Sequence, residues 1–220
     1  PKPAVVIDIG GGSVEITRGS GHDVDLARSF KLGVIRLTER FVDADPISNR
    51  DERRMVKHIR EEVDRYLEHI VEAGFDRVIG TSGTIQSLGT VAAAMETGVI
   101  PQEVRNLRVS AKSLRRLRKL AVDMELEERL RLPGLDPRRA DIMVAGAVLL
   151  DTLLKSLDEL RLKRNMHVIL LAHASIKQQK NALGNEYEKA GLAIRDKAAE
   201  RVVQWADVVG FADFDDDTQK

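Results

Sequence analysis

Residues 4–33 limit the fold more than any other stretch of this chain. Ala4 to Ile9 is an apolar, β-branched run that ends in Gly10-Gly11-Gly12-Ser13, and the alternation Val14-Glu15-Ile16-Thr17 begins at once. Period-two alternation belongs to strands with one buried face. Gly19-Ser20-Gly21 then turns the chain, Val24 and Leu26 alternate again, and Ser29-Phe30-Lys31-Leu32-Gly33 closes the segment. The pattern predicts three short antiparallel strands joined by hairpins. A dinucleotide fold or a Walker-type phosphate loop would pass from its glycines straight into a helix, whereas helical periodicity here begins only after Pro46. The glycines therefore sit on a hairpin.

Downstream, Val56, Ile59, Val63, Leu67, Ile70 and Val71 mark one face of a long helix over about 50–73, with Ser48 or Asn49 as cap and Gly74 as stop. Phe75 to Gly80 returns to a strand, and Thr81-Ser82-Gly83-Thr84 is a second small-residue loop opening a helix at Ile85. A helix start of that kind suits an anion or nucleotide contact. Ser110 caps a further helix carrying Leu114, Leu117 and Leu120. After the break at Pro133-Gly134, Asp136-Pro137 supplies an N-cap and first-turn proline for a helix to about Leu157. The expected order is βββ-α-β-α-α-α. Beyond it, an apolar strand Met166–Ala172, a polar loop 177–188, a helix through Ala198 and Trp205, and a strand 208–212 give a β-loop-α-β tail.

Composition removes several classes of function. Acidic and basic side chains balance at 35 each, so no net field draws the molecule to nucleic acid, and an anion site must be built locally. The absence of cysteine excludes disulfides, a thiolate nucleophile and Cys-ligated metal, and suits a reducing cytosol. Five scattered His residues form no HExxH pair. No apolar run approaches the roughly 20 residues of a bilayer span, and no basic-then-apolar leader is present. The expectation is a soluble, cytoplasmic protein with no membrane partner. The chain opens at Pro1 with a strand almost at once, which points to a fragment.

A strand-end carboxylate followed by glycines holds phosphate and a divalent cation together. Asp8 can bind a metal or its waters, Gly10, Gly11 and Gly12 let backbone N–H groups approach phosphate oxygens, and Ser13 adds a hydroxyl. Glu15, two residues along the hairpin, can reach the same metal or a water. A Gly-rich turn holding no ligand is the alternative. Lys112, Arg115, Arg116, Arg118 and Lys119 could grip a polyanion, but a solvated helix face paired with Asp123, Glu125, Glu127 and Glu128 is the simpler reading. His173 is read as an exposed strand-end histidine and Trp205 as core.

Four ordered motifs carry a resemblance. Asp8-Ile9-Gly10-Gly11-Gly12-Ser13-Val14-Glu15, then Leu32-Gly33-Val34-Ile35-Arg36-Leu37-Thr38-Glu39, then Gly80-Thr81-Ser82-Gly83-Thr84, and finally Leu132 to Asp141 with Gly146, closely resemble the exopolyphosphatase/guanosine pentaphosphate phosphohydrolase (Ppx/GppA) family over about residues 4–157. The resemblance implies an α/β fold, an actin-like/sugar-kinase (ribonuclease H-like) half domain with a mixed sheet, equivalent to the second of that family's two halves. It implies a Mg2+-dependent hydrolase releasing terminal phosphate from inorganic polyphosphate or guanosine pentaphosphate. Asp8 and Glu15 would hold metal and metal-bound water, and Gly10 to Ser13 the phosphate. Gly80, Thr81, Ser82, Gly83 and Thr84, with Arg139 and Asp141, would face a nucleotide. For Arg139 and Asp141, stabilising a helix end is the alternative. The first half, with the glutamate usually assigned as general base, would be a missing partner. Without it the half should expose apolar surface and can self-associate.

From about 164 to 212 the sequence instead resembles the C-terminal portion of phage-type RecA-like nucleotide-binding ATPases, without a preceding GxxxxGK[ST] loop. The expected organisation is thus a phosphatase half domain at 1–157 and an ATPase-like fragment at 158–220, joined near 156–165. Two further readings are carried: a non-catalytic phosphate- or nucleotide-binding module, and a piece of a recombination ATPase.

Overall fold

In the computed structural model, which describes residues 2–104, 106–162 and 170–172, the alternating segment forms three strands: β1 (Ala4–Ile9), β2 (Val14–Ser20) and β3 (Asp23–Phe30). They pair antiparallel in sequence order, with Ile7 opposite Ile16 and Asp8 opposite Glu15. Gly21, at φ 62°, makes the turn between β2 and β3, a conformation glycine adopts without a Cβ penalty. Val5, Ile7 and Ile9 of β1 and Val14 and Ile16 of β2 point to one face and are fully buried. The period of two then forces Asp8 and Glu15 onto the other face.

Helix α1 (Val34–Phe41) follows directly, ahead of Pro46, and corrects the expectation that no helix begins before that proline. It is only two turns long, and its N-cap, Gly33, makes no side-chain cap. Val34 N donates to Gly10 O and Ile35 N to Gly11 O, each at 3.0 Å. The glycine loop thus caps the helix, a signal that no local pattern contains. Helix α2 (Asn49–Ala73) agrees with its periodicity. Ser48 Oγ accepts from Asp51 N, Gly74 terminates it at φ 76°, and Met55, Ile59, Val63, Leu67 and Ile70 are buried.

Strand β4 (Arg77–Thr81) runs parallel to β1, and α3 (Ser82–Thr97) starts immediately after it. The second small-residue loop is therefore corrected: Ser82, Gly83 and Thr84 form the first turn of α3, three residues before Ile85. A short strand β5 (Leu107–Val109), absent from the expected order, precedes α4 (Ala111–Asp123), whose cap Ser110 is as read. A single turn α5 (Leu126–Arg129) is likewise additional. Asp136 does cap a turn, accepting from Arg138 N, but Pro137–Arg139 closes as a 3-10 turn. The long helix α6 (Met143–Leu162) begins four residues later, which corrects the expected start at Pro137.

Helix α6 runs through residue 157 without a break. Beyond it, β6 (Leu170–Ala172) lies between β4 and β5, parallel to the first and antiparallel to the second, so the sheet order is β3-β2-β1-β4-β6-β5. The mixed sheet is the one expected. Val144, Val148, Leu149, Leu153 and Leu157 of α6 join the sheet face and α2 in one core, each fully buried. Side chains of this size stabilise by roughly 1.5–3 kcal/mol apiece when removed from water. Charged joints lock the outer side: Ser156 Oγ donates to Asp64, and Arg118 bridges Asp151 (2.6 Å) and Glu52 (2.8 Å). Arg118 thus pairs with α2 and α6 instead of the downstream acids, of which Glu125 and Glu128 form a capping box for α5. The polar loop, the helix through Trp205, the strand 208–212 and His173 lie outside the described residues.

Candidate functional site

Parallel strands β1 and β4 end side by side, and the chain leaves them in two ways: β1 into the glycine loop, β4 into the start of α3. Such a junction at the carboxyl ends of parallel strands is where α/β sheets bind ligands. Two hydroxyls tie the exits together. Thr81 Oγ1 donates to Asp8 Oδ2 at 2.8 Å, and Ser82 Oγ donates to Ile9 O at 2.8 Å. Ser82 holds φ 87°, the left-handed region that favours glycine, and such a conformation costs about 1–3 kcal/mol that the surrounding bonds must offset.

Across the hairpin, Glu15 faces Asp8 as its register partner. Directly opposed residues on one face have Cβ atoms within roughly 5 Å, so the two side chains rise from neighbouring points on the same face of the sheet. Glu15 Oε1 accepts from Ser13 Oγ (2.6 Å) and Ser29 Oγ (2.8 Å), which fixes the orientation of its carboxylate. Among the described residues no group of three or more His, Asp or Glu side chains gathers to hold a metal. Asp8 and Glu15 are the pair that could contribute to one.

The loop itself is held from behind. Gly10 N donates to Ser13 O at 2.9 Å, closing the turn, while Val34 N, Ile35 N and Arg36 Nε donate to the oxygens of Gly10, Gly11 and Gly12. In a trans peptide the N–H points opposite to the C=O. Fixing these three carbonyls toward α1 therefore turns the N–H groups of Gly11, Gly12 and Ser13 away from it, leaving successive backbone donors of the kind that can meet an anion. Gly33 makes this approach possible: a Cβ there would lie 2.2 Å from Gly11 O.

The second group of predicted residues divides. Gly83 meets Arg139, whose Nη2 lies 2.2 Å from where a Gly83 Cβ would be, so this guanidinium borders the positive end of α3. Arg139 Nε also lies 3.8 Å from Asp136 Oδ2. Gly80 is buried beneath Ile85, and Thr84 is buried against Gly146, where α6 crosses α3. Both pack the fold. Asp141 is exposed, and its Oδ1 accepts from Ile142 N, a contact local to the approach to α6. Sequence reasoning gave no individual role to Ser29, Gly33 and Arg36. Ser29 reaches Glu15 from 14 residues away, and Gly33 and Arg36 reach the loop itself; the second motif contains the latter two, and no motif contains Ser29.

A glycine hairpin on a mixed sheet, beside a helix start and two opposed carboxylates, defines an α/β half domain of the actin-like kind. A family model described as the Ppx/GppA phosphatase family matches residues 2–168, and the chain belongs to that family. Exopolyphosphatase 2 of Mycobacterium tuberculosis is 30% identical over 157 residues, covering 71% of this chain and 49% of that protein. A guanosine-5'-triphosphate,3'-diphosphate pyrophosphatase of Photobacterium profundum is 25% identical over 154 residues. The crystal structure of an exopolyphosphatase from Cytophaga hutchinsonii superposes with TM-score 0.67 at 27% identity, covering 79% of this chain and 53% of that one. The chain spans about half the length of the first curated relatives it matches. A second model, described as an AAA domain, matches residues 149–220 weakly and overlaps the first.

Proposed function

We propose that this chain is the phosphate-holding half of a cytoplasmic phosphoanhydride hydrolase that releases terminal phosphate from inorganic polyphosphate or guanosine pentaphosphate. One observation carries the proposal: three successive loop carbonyls are fixed toward α1, so three successive N–H groups face outward beside Asp8 and Glu15. Hydrolysis of a phosphoanhydride needs the transferred group held, its oxygens neutralised and a water aligned in line with phosphorus. Gly11, Gly12 and Ser13 supply the donors. Glu15, whose carboxylate accepts from Ser13 and Ser29, would orient a water.

Mg2+ fits this reading. It commonly takes one or two protein carboxylates and completes its octahedron with waters and substrate phosphates, so Asp8 and Glu15 suffice without a third ligand. When bound it would neutralise phosphate charge. The general base and the facing wall of the cleft would come from the other half of the family's architecture.

Calorimetry with pyrophosphate and Mg2+ tests binding, and phosphate release from polyphosphate tests turnover. We expect binding that Asp8→Ala and Ser13→Ala each weaken about tenfold or more, the effect of losing one charged or charge-assisted contact. Turnover should appear only when the other half is added. Rapid hydrolysis by the chain alone would show that its base lies here. Binding indifferent to both substitutions would remove the site.

A further inference from the structure

Residues 34–36 offer three donors in a row to three carbonyls in a row, but the third differs in kind. Gly10 O and Gly11 O are held by backbone N–H groups of the first turn of α1, those of Val34 and Ile35. Gly12 O is held at 2.9 Å by Nε of the Arg36 side chain, and both Gly12 and Arg36 are exposed. The orientation of the Gly12–Ser13 peptide, and hence of the Ser13 N–H, thus rests on one solvent-facing arginine. The first two peptides rest on the helix.

We propose that Arg36 is a positioning residue of the phosphate loop: by holding Gly12 O it turns the Ser13 N–H toward a bound phosphate group, and its guanidinium brings positive charge to a site that already contains two carboxylates. This rests on the phosphate-binding reading above. The electrostatic need is plain, since Asp8 and Glu15 are opposed on one face and an added phosphate brings more negative charge to the same place. The geometric means is equally plain. A guanidinium carries five N–H donors in a fixed plane, so Nε can hold a carbonyl while the terminal nitrogens act at the rim. A lysine offers the charge without the fork, and a glutamine offers a donor without the charge.

That difference gives the experiment. In the full chain, Arg36→Ala, Arg36→Lys and Arg36→Gln are compared by the amide resonance and hydrogen-exchange rate of Ser13, by calorimetry with pyrophosphate and Mg2+, and by thermal midpoint. For Arg36→Ala we expect the unliganded Ser13 amide to move and exchange faster. Its pyrophosphate affinity should fall about tenfold, as for loss of a charge-assisted bond, while the midpoint shifts by no more than roughly 2–4 °C. Arg36→Gln should recover the Ser13 amide more than the affinity, and Arg36→Lys part of both. An unmoved Ser13 amide in Arg36→Ala overturns the proposal, as does a moved amide with unchanged affinity. So does a collapse of the midpoint in all three variants, which makes Arg36 a fold residue. If the unsubstituted chain binds no pyrophosphate, the site reading fails, while the Ser13 amide still decides whether Arg36 sets the loop.

Discussion

Gly33 shows how tightly single residues constrain this site. Its φ is −63°, which any residue adopts, so the requirement is space: a Cβ would sit 2.2 Å from Gly11 O and 2.3 Å from Gly12 C. Backbone on both sides cannot yield as a flexible side chain would. Gly33→Ala should push α1 off the loop, lowering stability by about 1–3 kcal/mol, as overpacking does, and abolishing pyrophosphate binding in the same variant. Urea unfolding and calorimetry measure the two losses, and a variant that binds normally would show the loop to be independent of α1. His58 supports a second expectation. Burial, and then the neighbouring Arg40 guanidinium, hold its pKa below the ordinary value. The unfolded chain therefore binds the proton more readily, and stability fully present above about pH 6.5 is lost as pH falls through the lowered value. His58→Gln should flatten the urea midpoint between about pH 7 and about pH 5, the span in which a histidine titrates. A slope unchanged by the substitution would assign it to other groups. The Asp8 and Glu15 pairing was legible because a hairpin register follows from alternation. Arg36 and Ser29 were not, because their contacts exist only after folding.

Among the elements, the strongly periodic ones were readable and the short ones were not. Helix α2 announces itself by a cap, an apolar stripe and a terminating glycine. Helix α1 borrows its cap from the glycine loop, and β5 has three residues, too few to show a period. Asp136-Pro137 carried a true helix-start signal that the chain spends on a 3-10 turn. The joint between α4 and α6 was equally invisible, since the run of cations on α4 reads as a solvated face. Yet Asp151 is 3% exposed at its side chain and accepts from Arg118 while pairing with Lys155 at 2.8 Å. Removing one partner of a buried pair leaves the other charge uncompensated, so Asp151→Ala should destabilise by about 3 kcal/mol. Ser48→Ala, which removes the α2 cap and the hydrogen bond that Ser48 Oγ donates to Asp51 Oδ2, should cost about 1 kcal/mol. Equal losses in a denaturation series would mean that Arg118 finds Glu52 sufficient.

At the scale of the molecule, the decisive element is β6, because it hydrogen-bonds to two strands, β4 and β5, that do not pair with each other in the described sheet. Val78, Ile79 and Gly80 of β4 pair with Leu170, Leu171 and Ala172, and the other edge of β6 carries β5. Without β6, β4 becomes an edge strand with unpaired N–H and C=O groups, and β5 loses its partner in the sheet. Exposed edges of that kind template association with further chains. The disturbance should also reach the site, since β4 ends in Thr81, whose hydroxyl holds Asp8, and continues into Ser82, whose hydroxyl holds Ile9 O. A chain ending at residue 162 should therefore self-associate in size-exclusion chromatography, lose hydrogen-exchange protection at the β4 amides that face β6, and bind pyrophosphate more weakly than the full chain. A chain ending at residue 178, which keeps β6, should retain the protection and the binding. If the two truncations behave alike, β6 contributes nothing to the sheet that matters for phosphate. If only the shorter one fails, the glycine loop depends on a strand that lies beyond the four motifs by which its family is recognised in the sequence.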